Sequence, residues 1–301
     1  MEFWVGVTNN AWFRFLSEKK ADEVNFWQPS ERPPFVGAPI GMPFLFKLKR
    51  PNNHIAGGGF FVTYSRLPVA IAWEVFGEKN GAASLDQLLS LLQQGSGGNQ
   101  ALREIGCTVL ANCFYFEQRQ WLANPPGFAN NVVVGKRYRT ETVEGDALWT
   151  ATEDRLQLQQ VNDATRTRGY GDATWVRPRL GQGAFRVLVT DAYERRCAIT
   201  GENTLVALEA AHIVPYAKEQ SHDVRNGLLL RADFHRLFDA GLVSVSGDMK
   251  VKVSPRIRET WFNGKNYYRL NDRQLAVTPT LPELRPDPDR LDWHYRNVFQ
   301  P

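Results

Sequence analysis

The feature that most limits what this chain can fold into is an ordered set of residues in its second half. His212 ends an apolar run, Leu208-Glu-Ala-Ala-His212, just before Ile-Val-Pro215. Asn226-Gly227 opens a second run, Leu228 to Leu230, and His235 and Asp239 follow four residues apart. The hydrophobic pattern predicts a strand over 205–213 and a polar loop over 216–225. A short strand over 228–230 and a helix over 231–240 follow, the helix ended by Gly241. The expected order is therefore strand, loop, strand, helix. Residues four apart on a helix share one face, so His235 and Asp239 stand about one turn from each other.

One imidazole and one carboxylate in that relation can grip the same divalent ion. His212, delivered by the strand, can then face that ion across a phosphate. Hydrolysis of a phosphodiester needs a base to deprotonate water, and a neutral imidazole suits that near pH 7. It also needs a cation to offset charge on the phosphate and the leaving oxygen. A lone histidine in an apolar strand is usually structural; two histidines with Asn-Gly in this order are a much narrower pattern.

With those residues and the lead-in Cys197-Ala-Ile-Thr-Gly201, residues 180 to 300 resemble the HNH, or ββα-metal, endonucleases, specifically the restriction-type branch. The resemblance implies a general base at His212 and a loop-bracing, base-orienting asparagine at Asn226. It implies metal ligands at His235 and, as in some members, Asp239, with Mg²⁺ or Mn²⁺ as the ion. Many relatives carry an Asp or His just before the base; here Ala211 stands there, which leaves Glu209 or another acid to complete the ligand set. Of the other histidines, His222 is expected in the loop, exposed and outside the chemistry. His294 is expected to pack near the C-terminus and His54 to lie at the surface.

The N-terminal half offers no nucleophile–base pair and no phosphate loop. It reads as α+β with many short strands, such as Phe3 to Val7, Phe44 to Lys49 and Cys107 to Phe116, and with helices at 11–20 and 85–94. Gly57-Gly58-Gly59 inside a strand pattern predicts a bulge or a close backbone approach. Most aromatics there are expected in the core. The exception is Asn25-Phe26-Trp27-Gln28-Pro29, expected as a loop, where an indole stands beside amides. A flipped base needs a stacking face and edge-reading amides, which makes Trp12, Trp27 and Gln28 the candidate pocket. The strand-rich pattern over 1–155 resembles the PUA superfamily, in particular EVE-like β-barrels. Joined to an HNH domain, that is the architecture of modification-dependent restriction endonucleases. It implies recognition of double-stranded DNA with 5-methyl- or 5-hydroxymethylcytosine, and a homodimer at least on DNA. Reading of plain sequence, phosphorothioate DNA or RNA stays open, as does a non-catalytic DNA-binding role.

At 301 residues the chain accommodates two domains. The expected division is 1–165, a basic linker at 166–179, and 180–301. Seven arginines against three acids lie between Arg166 and Arg196. That stretch reads either as a solvated connector or as a strap that meets DNA phosphates through Arg166, Arg168, Arg177 and Arg179. The net charge of +4 only mildly favours a polyanionic partner. Three cysteines without paired spacing argue against a disulfide framework and against a two-CxxC zinc. No signal peptide or membrane span is read, so a cytoplasmic location is expected.

Overall fold

The computed structural model describes residues 1–29, 37–95, 104–125, 127–129, 131–162 and 178–301. The chain forms two compact units, Met1–Gly181 and Gln182–Pro301. Arg166, Arg168 and Arg177 lie outside the described residues, as does most of the expected linker.

The first unit is mixed α+β around one large sheet. Its strands are β1 (Glu2–Thr8), β2 (Glu23–Gln28), β3 (Pro43–Leu48), β4 (Ile55–Pro68), β5 (Glu104–Tyr115) and β6 (Gly135–Arg139). Helices α1 (Asn10–Glu18), α2 (Val69–Phe76), α3 (Leu85–Gly95) and α4 (Val143–Asn162) accompany them. The sheet order is β2-β5-β4-β3-β1-β6, with β1 and β3 parallel and the other neighbours antiparallel.

Period-two alternation feeds two cores. Phe44, Phe46 and Leu48 of β3 join Trp12, Phe13 and Leu16 of α1 on one face. Leu45 joins Phe3, Val5 and Trp149 on the other. Because both faces are covered, every residue of β3 is buried. Asn9 starts α1 by accepting the Ala11 and Trp12 amides on Oδ1 at 2.8 and 3.1 Å. The glycine triplet behaves as the sequence implies. A β-carbon at Gly57 would stand 2.3 Å from the Phe114 carbonyl oxygen, one at Gly58 2.5 Å from that of Phe44, and the β4–β5 register shifts between Gly58 and Phe60.

The expected loop at Asn25–Gln28 is instead strand β2, paired antiparallel with β5. The weak strand preference of its amides is overridden by pairing with a long partner and by burial of Val24 and Asn25.

The second unit contains α5 (Gln182–Ala192), β7 (Leu208–His212), α6 (Tyr216–Glu219), β8 (Gly227–Arg231) and α7 (Ala232–Asp239). It continues with β9 (Val243–Val245), β10 (Val251–Val253), α8 (Arg256–Trp261), α9 (Lys265–Tyr268) and α10 (Pro288–Asn297). Strands β7 and β8 form an antiparallel hairpin and α7 follows directly. Residues 205–207, expected as the start of the first strand, form a 3₁₀ turn. The lead-in Cys197–Gly201 is a tight turn closed by Gly201 N–H to the Cys197 carbonyl (2.9 Å), with Gly201 at φ +71°. It docks on the hairpin through Ala198 N–H to the Leu229 carbonyl at 2.7 Å. Leu228, Leu229 and Leu230 of β8, with Phe185, Tyr193, Phe234 and Phe238, form the core beneath. All three cysteines are free thiols. Among the described residues no helix is long and apolar enough to cross a membrane.

Candidate active site

The β7–β8 hairpin fixes His212. Its cross-strand partner is Gly227, and the absence of a side chain there admits α5. A β-carbon on Gly227 would lie 2.4 Å from Val189 Cγ2 and 3.1 Å from Phe185 Cζ. Through that gap Phe185 lies flat against the His212 imidazole, ring centroids 4.0 Å apart and planes 10° apart. The glycine of the Asn-Gly pair thus makes room for the stacking partner of His212.

Asn226 is fully buried. Its Oδ1 accepts the Val214 amide at 2.8 Å and its Nδ2 donates to the Val214 carbonyl at 2.9 Å, while its own carbonyl accepts the Ile213 amide at 2.9 Å. Three bonds close the base of the loop between the strands, and the side chain is spent on them. Asn226 therefore acts on the backbone that carries His212 and does not face solvent.

Helix α7 supplies the other half. His235 Nδ1 meets Glu209 Oε2 at 2.6 Å, and its Nε2 faces Asp239 Oδ2 at 3.4 Å. Ala211 is buried in the core and presents nothing to the site. Glu209, named at the sequence level as a possible substitute, lies on the far nitrogen of His235. A carboxylate there fixes the tautomer and leaves Nε2 as the donor. Among the described residues, no three His, Cys, Asp or Glu side chains already converge as a metal-holding group. The pair His235 Nε2 and Asp239 nevertheless suits one ion: with metal–ligand bonds of about 2.1 Å, two donors sit roughly 3 to 3.5 Å apart. The donor set is one nitrogen from half-buried His235 and one oxygen from exposed Asp239.

Electrostatics distinguish His212 from an ordinary histidine. Burial, then the neighbouring His222 and His235, lowers its pKa to about 4. The ring is neutral at pH 7 and can accept a proton. Its base strength is low in the free protein; an anion brought within about 4–6 Å would favour the imidazolium and raise it again.

His222 corrects the sequence expectation. It is half-buried, and its Nδ1 is 3.2 Å from His212 Nε2. Its ring stacks on Tyr216, centroids 4.3 Å apart and planes 16° apart. The loop that carries it contains α6, where an irregular polar run was expected, and is tied down by Arg290 of α10. Arg290 holds Glu219 Oε1 at 2.7 and 3.1 Å and Asp223 Oδ2 at 3.0 Å, one acid on each side of His222. No local pattern around His222 announces this, because its anchor lies about seventy residues downstream. His294 and His54 lie as expected. His294 is buried, stacked on Phe238 and bonded to Ser244 Oγ at 2.9 Å. His54 is exposed.

In the first unit, Trp12 is 3 % exposed and packs edge-on to Phe26 and Phe46. The structure gives it a place in the core. Trp27 and Gln28 end β2 half-buried. Trp27 Nε1 donates to the Asn80 carbonyl at 2.7 Å, and Asn25 Nδ2 donates to Asn80 Oδ1 at 2.9 Å. Asn25 and Trp27 are two apart on the strand and share a face. Asn25 Oδ1 is buried with no hydrogen-bond partner. Arg179 is exposed, its backbone amide bonded to Asn112 Oδ1 at 2.9 Å.

Comparison with known proteins assigns the second unit. Residues 197–246 match the family model described as HNH endonuclease. This stretch spans the lead-in turn, the hairpin, its loop and α7, so the chain carries an HNH endonuclease domain. Enzymes of that kind generally use a divalent metal. No curated protein matches the chain. Among solved structures it is similar to the ASCH protein of Zymomonas mobilis, at 13 % identity and TM-score 0.34, over 48 % of this chain and 94 % of that one. It is also similar to the modification-dependent TagI restriction endonuclease, at 13 % identity and TM-score 0.30, over 92 % of this chain and 76 % of that one.

Proposed function

We propose that the protein is a modification-dependent DNA endonuclease, in which the second unit hydrolyses the phosphodiester and the first selects DNA that carries a modified cytosine. The observation that carries the catalytic half is His212: a neutral imidazole, flat on Phe185, beside a helix that offers His235 and Asp239.

His212 takes a proton from water as the water oxygen attacks phosphorus. The bond from phosphorus to the 3′ oxygen breaks and that oxygen takes a proton from solvent, giving 5′-phosphate and 3′-hydroxyl ends. His235 and Asp239 would hold a divalent ion, Mg²⁺ or Mn²⁺, whose chemistry is charge neutralisation at the phosphoryl and leaving oxygens. Glu209 keeps His235 Nε2 turned outward for that purpose. Asn226 holds the backbone beneath His212.

The reader half is supported by Trp27, half-buried at the end of β2, which offers a stacking surface with Gln28 next to it. Arg179, and Arg166, Arg168 and Arg177 before it, would contact the DNA phosphates. Double-strand cleavage requires two HNH domains, hence a homodimer on DNA.

The test is cleavage with Mg²⁺ or Mn²⁺ of one DNA prepared unmodified, 5-methylated, 5-hydroxymethylated and glucosylated, run beside His212→Ala. Cutting confined to a modified form and lost in the variant is expected. Equal cutting of every form would remove the modified-base reader and keep the nuclease.

A further inference from the structure

We propose that His222 is a positioning residue for His212, selecting which nitrogen of that ring faces the reacting water. The inference rests on the reading of His212 as the base and extends it to a residue of this chain's own loop.

The stack on Phe185 sets the plane of the His212 ring at 10° to its own. A flat stack does not distinguish the ring from the same ring turned by 180°, which exchanges each nitrogen with a carbon. The contact that breaks this degeneracy is His212 Nε2 to His222 Nδ1 at 3.2 Å. It holds Nε2 toward the loop and leaves Nδ1 on the opposite edge.

The same contact sets the proton. Two neutral imidazoles that meet nitrogen to nitrogen share one N–H, and it can belong to either ring. If His222 donates from Nδ1, His212 carries its own proton on Nδ1 and has no lone pair left for water. If His212 donates from Nε2 to His222 Nδ1, the lone pair on His212 Nδ1 is open. Only the second arrangement makes His212 a base, so His222 accepts at Nδ1 and carries its own proton on Nε2.

The surroundings show a built partner. Tyr216 stacks on His222 at 4.3 Å. Arg290 grips Glu219 and Asp223 on either side of it, and Asn226 closes the loop behind. Three separate elements of the second unit thus fix one loop histidine against the base.

The experiment uses the full chain labelled with ¹⁵N at histidine, comparing wild type, His222→Asn and His222→Phe at pH 7. Asparagine Oδ1 can occupy the place of Nδ1 and accept the same bond; phenylalanine keeps the ring and cannot. The expected imidazole ¹⁵N spectrum of the wild type shows His212 protonated on Nε2 and bare on Nδ1. His222→Asn should keep that pattern, and His222→Phe should mix the tautomers. In cleavage, His222→Phe should lose about 10–100-fold in kcat with KM little changed, and His222→Asn should recover most of the loss. A wild-type spectrum with the His212 proton on Nδ1 would overturn the proposal, as would unchanged tautomer and rate in His222→Phe. If His222→Phe does not fold, wild type and His222→Asn still decide through the spectrum. If no DNA is cut by any form, the base assignment fails, while the spectrum still reports whether His222 holds the His212 tautomer.

Discussion

The two units bury polar groups in different ways. In the second, the buried amide of Asn226 is satisfied on both its oxygen and its nitrogen, and buried His294 is paired with Ser244. In the first, Asn10, Asn25 and Asn124 each bury an amide oxygen without a partner, and Thr108 a hydroxyl; among the described residues the second unit has no such atom. The contrast separates complete from incomplete burial. Beside His212 the buried amide makes every bond it can, whereas the first unit carries unpaired buried atoms at a cost to its stability.

Four changes would break or sharpen this division. The largest effect belongs to His212→Ala, which should cut rate by about 10²–10⁴-fold while leaving affinity for modified DNA intact; matched cleavage and binding titrations check it. Loss of binding with the rate would instead make the ββα unit a docking element. Next comes Gly227→Ala. Its methyl would push on Val189 and Phe185, so the unfolding transition of the second unit should weaken by about 1–3 kcal/mol, with the stack under His212 displaced. Calorimetry should show the first unit unmoved.

Trp27→Ala is the counterpart in the first unit. Stacking of a base on an indole is worth about 1–3 kcal/mol, so affinity for the preferred DNA should fall roughly tenfold or more at unchanged kcat. Discrimination should collapse toward the unmodified value. An unchanged preference would place the reader elsewhere on the sheet.

The fourth change is a pH tilt. Burial lowers the pKa of both His212 and His294 to about 4, against about 6.5 in an unfolded chain. Between those values the unfolded state binds more protons, so the second unit loses stability as pH falls from about 6.5 to 4 and has the full contribution above 6.5. Melting the protein across that range should lower the transition of the second unit; His294→Phe should flatten the slope.

Much of the catalytic half was legible because it is local. His212, Asn226, His235 and Asp239 sit on a strand, a turn and a helix whose periodicities can be read within about thirty residues. Gly227 was part of the motif, but its reason, the space it leaves for Phe185, needs a helix that precedes it by four decades of sequence. The burial of His222 is not legible locally, because its loop is held by ion pairs to Arg290 that no local pattern encodes. Likewise Asn25 and Pro29 suggest a loop where β2 stands, because pairing with β5 outweighs their propensities. Helix α1 and the glycine triplet were readable, since a cap and a close backbone approach leave their marks in single residues.

The grip of Arg290 on Glu219 and Asp223 also bears on the order in which the protein is made. A nascent chain that already contains His212, His222 and His235 still lacks the residue that fixes their loop, because Arg290 lies in α10. The first unit, Met1–Gly181, is complete well before that point. Synthesis therefore delivers the whole first unit before Arg290 can lock the loop of the HNH domain.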